Sequence, residues 1–236
     1  MVALSETDQV RAAELREVLD LPGQRPMAAL AFRDKHVMKT ILNAGGVQVA
    51  AHKTVSSLLD VDEALSCWGT VVVKPIDGAG TVGVEMLRSR RDMIRWGEDH
   101  DPMQDEADRW IVEEYVDGPM LSVDGVVSEQ KMLHAMVGRY TTTCLESVHD
   151  SVPHGVLELA TDDPAALEAV GLAGQVFETL PDSKDLRSFH LECFQSAERG
   201  LVVCEVAART GGGRISQISQ RMFGIDLDWV SCLGKH

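Results

Sequence analysis

A chain of 236 residues has room for one large domain or two small lobes sharing a core, and a composition of 44% hydrophobic and 25% charged residues excludes wholesale disorder. With 22 Lys and Arg against 37 Asp and Glu, the net charge of −15 excludes a nucleic-acid backbone as main partner, because such binding needs a cationic face. An anionic small ligand stays open provided the few cations are gathered locally. The longest apolar runs, such as Thr70–Val73 and Gly200–Cys204, fall far short of the roughly 18 residues of a membrane span. No basic-then-apolar leader opens the chain. Cys67, Cys144, Cys193, Cys204 and Cys232 are odd in number and form no CxxC pair, which reads as reduced thiols in a cytoplasmic protein.

In chain order, Ser5–Leu19 is expected to be a helix with Ser5 as N-cap, broken by the Leu21–Pro26 segment with its two prolines and a glycine. A second helix is expected over Arg33–Asn43, stopping at Gly45-Gly46. Val47–Ala51 reads as a strand, Ser56–Leu65 as a helix, and Thr70–Lys74 as a β-branched strand running into a turn at Pro75–Gly80. After an acidic loop, Gly97–Asp108, the strand Trp110–Val116 precedes an antiparallel meander of Leu121–Val127 and Met132–Tyr140. Asp163-Pro164 opens a helix to Leu180, with proline at its first position. Arg187–Phe194 and Leu201–Ala207 form a last pair of strands around the turn Gln195–Gly200. Mixed strands and helices without repeats point to α+β or α/β.

Two constellations carry chemistry. Gly78, Gly80 and Gly83 fit G-x-G-x-x-G, a dinucleotide fingerprint. Lys74 at the strand end suits instead a flap whose backbone N–H groups close over a triphosphate, with the lysine as point charge. A tight hairpin turn that needs glycine for its backbone angles is the plainer alternative.

The second constellation is the C-terminal hairpin. A turn centred between Glu198 and Arg199 makes paired residue numbers sum to 397, so Glu192 faces Glu205 and Cys193 faces Cys204. His190, Glu192, Phe194, Val203, Glu205, Ala207 and Arg209 then share one side. Phe189, Leu191, Cys193, Val202, Cys204 and Val206 form a dry one. Two carboxylates opposed at about 5 Å repel unless a cation lies between them. Mg²⁺ suits the pair, since it takes oxygen ligands from one or two carboxylates plus phosphates. A solvated hairpin whose glutamates turn outward is the alternative.

These pieces, in this order, resemble the ATP-grasp superfamily and its ATP-dependent carboxylate–amine ligases, over about Phe32 to Ile215. FRDKHVMKTILNAGGVQV is similar to the family's Arg-Asp-Lys helix, TVVVKPIDGAGTVGV to its lysine strand and phosphate-covering loop, and IVEEYVDGP to its adenine-contacting hinge. FHLECF and LVVCEVAARTGGGRI are similar to its two metal-ligand strands. The resemblance implies an α+β ATP-grasp fold, two α/β lobes with mainly antiparallel sheets enclosing a nucleotide site. It implies a chain divided into residues 1–32 as N-terminal helix and linker, 33–115 as small lobe with the flap, and 116–236 as large lobe with the metal-binding hairpin.

It further implies that Lys35 and Lys74 contact nucleotide phosphates, that Gly78, Gly80 and Thr81 lie in the flap, and that Glu113 accepts the adenine amino group. The backbones of Glu114 and Val116 would frame the base. Glu192 and Glu205 would hold Mg²⁺, with Mn²⁺ as substitute, and Arg209 would act with Lys74 on the transferring phosphoryl group. His190, Gly212 and Arg214 would face the substrate. Met120 stands where many members carry an acidic residue for the ribose, and Ala207 where many carry a third metal-site ligand, Asn.

The implied activity is ATP- and Mg-dependent joining of a carboxylic acid to an amine through an acylphosphate, releasing ADP and phosphate. The alternatives are a truncated or degenerate nucleotide-binding fragment and, third, a dinucleotide oxidoreductase built on the Gly78 loop. The expected partners are small-molecule acid and amine substrates, with no nucleic acid and no membrane, and a second copy of the chain or a further N-terminal domain. His149 and His154 have no metal spacing.

Overall fold

The computed structural model describes residues 3–100, 102, 109–142, 155–181 and 185–233. A short 3-10 turn at Glu6–Asp8 leads into α1 (Gln9–Val18), α2 (Pro26–Ala31) and α3 (Lys35–Ala44). Then follow β1 (His52–Val55), α4 (Leu58–Trp68), β2 (Val71–Pro75), β3 (Glu85–Leu87), α5 (Arg90–Asp99) and β4 (Trp110–Glu114). The remainder contains β5 (Met120–Ser128), β6 (Lys131–Tyr140), β7 (Val156–Glu158), α6 (Pro164–Thr179), β8 (Arg187–Ser196), β9 (Gly200–Ala207), α7 (Ile215–Phe223) and α8 (Leu227–Leu233).

The strands form two antiparallel sheets, one of order β1-β4-β2-β3 and one of order β7-β6-β5-β8-β9. Alternation decides which face of each sheet is dry. On the smaller sheet Val71, Val73 and Val112 pack with Val61 of α4 and Trp96 of α5. On the larger, Leu121, Val123, Phe189 and Leu191 pack under Ala169, Val176 and Phe177 of α6 and under Met38 and Leu42 of α3. The opposite face of the larger sheet carries Ser122 and Asp124 on β5 and His190 and Glu192 on β8, all buried. At its Glu192 end this face borders the cavity shared with the smaller sheet, whereas Val126 further along packs with α7 and α8.

Helix starts follow their capping chemistry. Asp34 accepts from the N–H groups of His36 and Val37, both at 2.9 Å, which fixes where Lys35 leaves the first turn of α3. Asp163 caps α6 by accepting from Ala165 N–H at 2.8 Å, with Pro164 at the first helical position as expected.

Several expectations are corrected. The break after the first helix holds, with α1 ending at Val18, but Pro26 itself opens a further short helix, α2, because proline fits the first helical turn. Glu6–Asp8, after Ser5, is 3-10 turn rather than α-helix. Val47–Ala51 is not a ladder strand. It runs beside β9 with a parallel bridge at Val49–Val203, and the pairing strand is β1 just beyond it. Gly97–Asp99 ends α5 instead of opening a loop, because Trp96 anchors that helix in the smaller core at 1% exposure. Cys144, His149 and His154 lie outside the described residues.

The β8–β9 register holds at Glu192–Glu205 and changes one step later, where Cys193 pairs with Val203 and Phe194 with Val202. Cys204 is the extra residue of a β-bulge. Cys193 therefore does not face Cys204, Val203 joins the dry core, and Val202 lies on the other face with Phe194.

Candidate functional site

A cavity of about 270 Å³ opens between the two sheets. Lys35 enters it from α3 and Lys74 from β2, the Gly78–Val82 turn covers it, and Glu113 to Val116 border it at the end of β4. Met120, Glu192, Phe194 and Glu205 come from the larger sheet.

Few as they are, the cations are gathered here. Lys74 Nζ lies 3.0 Å and Lys39 Nζ 3.5 Å from Glu113 Oε2, all three side chains being buried. Burial alone would push the Glu113 carboxyl up, but Lys39 and Lys74 outweigh it and hold it below the usual range. Burial likewise opposes the Lys74 charge, but Glu113, together with Cys204 and Glu205, outweighs it and raises the Lys74 pKa. Lys39 is driven down by burial. The other oxygen of Glu113, Oε1, is buried and meets no hydrogen-bond donor among the described residues. An orphaned acceptor in a cavity wall is costly unless a ligand donor fills it.

Glu205 faces Glu192 across the hairpin, and its Oε2 lies 3.2 Å from Lys35 Nζ. Desolvation acts against its charge, yet Lys35 and Lys74 bring its pKa down to about 2. Lys35 Nζ also donates to the Gly78 carbonyl at 2.7 Å, joined there by Arg33 Nη1 at 3.3 Å, so the root of the glycine turn is tied to α3. Within the turn Gly80 and Thr81 both have positive φ, 63° and 64°. For Thr81 that conformation is strained, a feature that clusters at ligand clamps.

Glu192 is held from the side. Tyr140 Oη donates to its Oε1 at 2.7 Å, and His190 Nε2 stands 3.4 Å from the same oxygen. The other ring nitrogen of His190 is 2.7 Å from Asp124 Oδ1. Although burial works against the imidazolium, Asp124 and Glu192 raise the His190 pKa well above its ordinary value. Gly211 closes over this pair, because a Cβ there would meet His190 Nδ1 at 2.5 Å and Asp124 Oδ1 at 2.8 Å.

The two opposed carboxylates, one steered by Tyr140 and His190 and the other by Lys35, fit a hard divalent cation that takes its remaining ligands from phosphates. Among the described residues no group of three or more His, Cys, Asp or Glu is arranged to hold a metal on its own.

Most residues singled out from the sequence thus come together: Lys35, Lys74, Gly78, Gly80, Thr81, Glu113, Glu114, Val116, Glu192 and Glu205 all line the cavity. The Glu114 carboxylate points to structure, accepting from Ala51 N–H at 3.1 Å and pairing with Arg199. His190 lies behind Glu192. Arg209 does not line the main cavity; it pairs with Glu6 and donates to Thr210 O at 2.8 Å. Gly212 and Arg214 are exposed and also outside it. Met120, buried in the wall, adds an apolar surface to the cavity.

Sequence reasoning missed Lys39, Asp124, Tyr140 and Glu6. Lys39 had a signal, since it falls one helical turn after Lys35 and shares its face. Asp124 alternates with Val123 in the same phase as His190 does with Leu191.

An ATP-grasp domain model matches residues 32–213. The L-arginine-specific L-amino acid ligase of Bacillus subtilis is 26% identical over 239 residues, covering 99% of this chain and 56% of that protein. An alanine–anticapsin ligase of Bacillus subtilis is 26% identical over 258 residues, covering 94% and 52%. The solved L-amino acid ligase of Bacillus licheniformis matches with a TM-score of 0.77 at 20% identity, over 98% of this chain and 54% of that one. The D-alanine–D-alanine ligase of Coxiella burnetii matches with a TM-score of 0.70 at 17% identity, over 98% and 67%. The chain spans about half the length of the curated relatives it matches. The α+β arrangement of two antiparallel sheets around a cleft is the fold of these structures.

Proposed function

The chain belongs to the ATP-grasp family, and from that premise we propose that its cleft binds Mg·ATP for a ligase joining a carboxylic acid to an amine. The observation that carries this reading is the Glu192–Glu205 pair at a cavity also lined by Lys35, Lys74 and the glycine turn. In this reading the orphaned Glu113 Oε1 receives the amino group of the base, and the backbone around Glu114 and Val116 flanks the ring. Lys35 exchanges Gly78 O and Glu205 for phosphate oxygens, and Lys74 adds its charge from the sheet. Glu192 and Glu205 hold Mg²⁺, or Mn²⁺ in its place, which supplies charge neutralisation to the phosphates. A substrate carboxylate oxygen attacks the γ-phosphorus while the bond to the ADP oxygen breaks. The amine then displaces phosphate from the acylphosphate to form the amide. Such chemistry needs positioning and charge stabilisation rather than a protein nucleophile.

The names of the relatives favour an amino acid as one substrate. A second reading, a nucleotide-binding part without activity of its own, is favoured by Met120 and Ala207, which give apolar side chains to the walls of the main cavity and of the small one beside it.

Calorimetry of Mg·ATP on wild type and Glu205→Gln tests the site. Expected is Mg-dependent ATP binding that weakens at least tenfold in the variant. ATP binding indifferent to Mg²⁺ and to the substitution overturns it. ADP release with pairs of amino acids then separates the ligase from the inactive reading.

A further inference from the structure

A cation with no part in the chemistry above stands behind the cavity. Lys39 lies in its wall, yet the side chain has no exposed surface. Its Nζ donates to the carbonyls of Cys204 at 2.8 Å and Val203 at 3.3 Å, and it lies 3.5 Å from Glu113 Oε2. Three acceptors thus surround an ammonium that has three protons to give. They come from different parts of the fold. Lys39 rises from α3, Glu113 belongs to the smaller sheet, and the two carbonyls belong to the β9 bulge, directly before Glu205. One buried side chain therefore joins the Glu113 carboxylate to the strand that carries a metal-ligand candidate.

We propose that Lys39 is a positioning residue for base selection: held by the bulge carbonyls, it fixes Oε2 of Glu113 and leaves Oε1 to the base, so that the site takes a 6-aminopurine nucleotide and turns away its 6-oxo counterpart. This rests on the nucleotide reading above and goes beyond it, because the selection is assigned to a side chain that touches no ligand.

Three observations support it. The two oxygens of Glu113 are divided in their tasks: Oε2 has both lysines, whereas Oε1 is buried and meets no donor among the described residues. Lys74 does not suffice to hold Oε2, since it is also the cation proposed for the phosphates. Lys39 is pinned by two carbonyls away from solvent and stays in place when a nucleotide draws on Lys74. Finally, the two lysines keep the carboxyl below its usual range, so Oε1 accepts and does not donate. An exocyclic amino group supplies the proton it lacks. A 6-oxo group instead sets a second acceptor against it, and two buried acceptors facing each other are left unpaired. Without Lys39 the carboxylate is free to turn, and the penalty on the 6-oxo group relaxes.

The test is calorimetric titration of Mg·ATP, Mg·ITP and Mg·tripolyphosphate into the full chain, as wild type, Lys39→Met and Lys39→Gln. ITP carries the 6-oxo group, and tripolyphosphate has no base. Wild type is expected to favour ATP over ITP about tenfold or more, the worth of a hydrogen bond to a charged group. In both variants that ratio is expected to fall to about threefold or less, through weaker ATP binding, while tripolyphosphate binding stays within about twofold of wild type. Lys39→Gln keeps a donor for the bulge carbonyls without a charge, so it carries the comparison where Lys39→Met does not fold.

A lysine with a merely structural role would weaken all three ligands alike, and that result overturns the proposal. So does a wild-type ATP/ITP ratio in either folded variant. ATP and ITP bound equally by wild type removes the selection and leaves the nucleotide reading. Wild type that binds neither nucleotide removes the nucleotide reading and the task of Lys39 with it.

Discussion

One oxygen of Glu113 is shared by two buried lysines, Lys74 at 3.0 Å and Lys39 at 3.5 Å. Replacing it in Glu113→Gln removes the counter-charge shared by two buried lysines, which costs about 3 kcal/mol, or roughly 6–12 °C in melting temperature for a chain of this size. Lys39→Met in the same background is expected to restore part of that loss, because one stranded charge is gone. Thermal unfolding of the two variants reads both effects.

Tyr140→Phe removes a single donor from Glu192 Oε1 and leaves the ring packing in place. A neutral hydrogen bond to a charged group contributes about 1.5–3 kcal/mol, so the Mg²⁺ concentration for half-maximal ATP binding is expected to rise about tenfold. Stability falls much less. Equal Mg²⁺ dependence in the two proteins would show that Tyr140 does not steer Glu192.

Glu158 sits on β7 across Gly138 and Ser122 from Glu192. Burial, with a further push from Asp124 against a pull from the Val137 backbone, raises its pKa to about 7 from an ordinary 4.5. Between those values the folded chain binds more protons than the unfolded one, so stability falls as pH rises through the window. Glu158→Gln removes the penalty. Its melting temperature should exceed wild type at pH 8 by about 2–4 °C, corresponding to about 1 kcal/mol after allowance for partial exposure, and the difference should close below pH 4.5.

Gly211→Ala is expected to part His190 from Asp124, since the new methyl meets both. Overpacking of this kind costs about 1–3 kcal/mol, read by thermal unfolding. The same variant should weaken Mg²⁺-dependent ATP binding, whereas a substitution at the open Gly212 should not.

Legibility in the sequence followed locality. β5, β6, β8 and β9 alternate apolar and polar residues, so their spans were read to within two residues, as was the proline start of α6. Glu192 opposite Glu205 followed from arithmetic on one hairpin. Cys204 carries no mark of a bulge, so the same arithmetic failed one step further on. Helix α5 was hidden because its charged residues dominate, and only the burial of Trp96 shows what holds it. The Lys39 contact with Val203 spans 164 positions, and Glu6 is 203 from Arg209; pairings that long leave no local pattern.

The bulge itself has a consequence for insertions and deletions. Without Cys204, Val203 and Glu205 would become neighbours in an unbroken alternation, and every pairing on either side could stand. An in-frame deletion of that residue is thus silent for the ladder. It is not silent for the helix beneath, because the carbonyl it removes takes the Lys39 ammonium at 2.8 Å. What the surplus residue gives the helix is its oxygen, so exchange of Cys204 for another small residue is expected to leave the melting temperature nearly unchanged and its deletion to lower it.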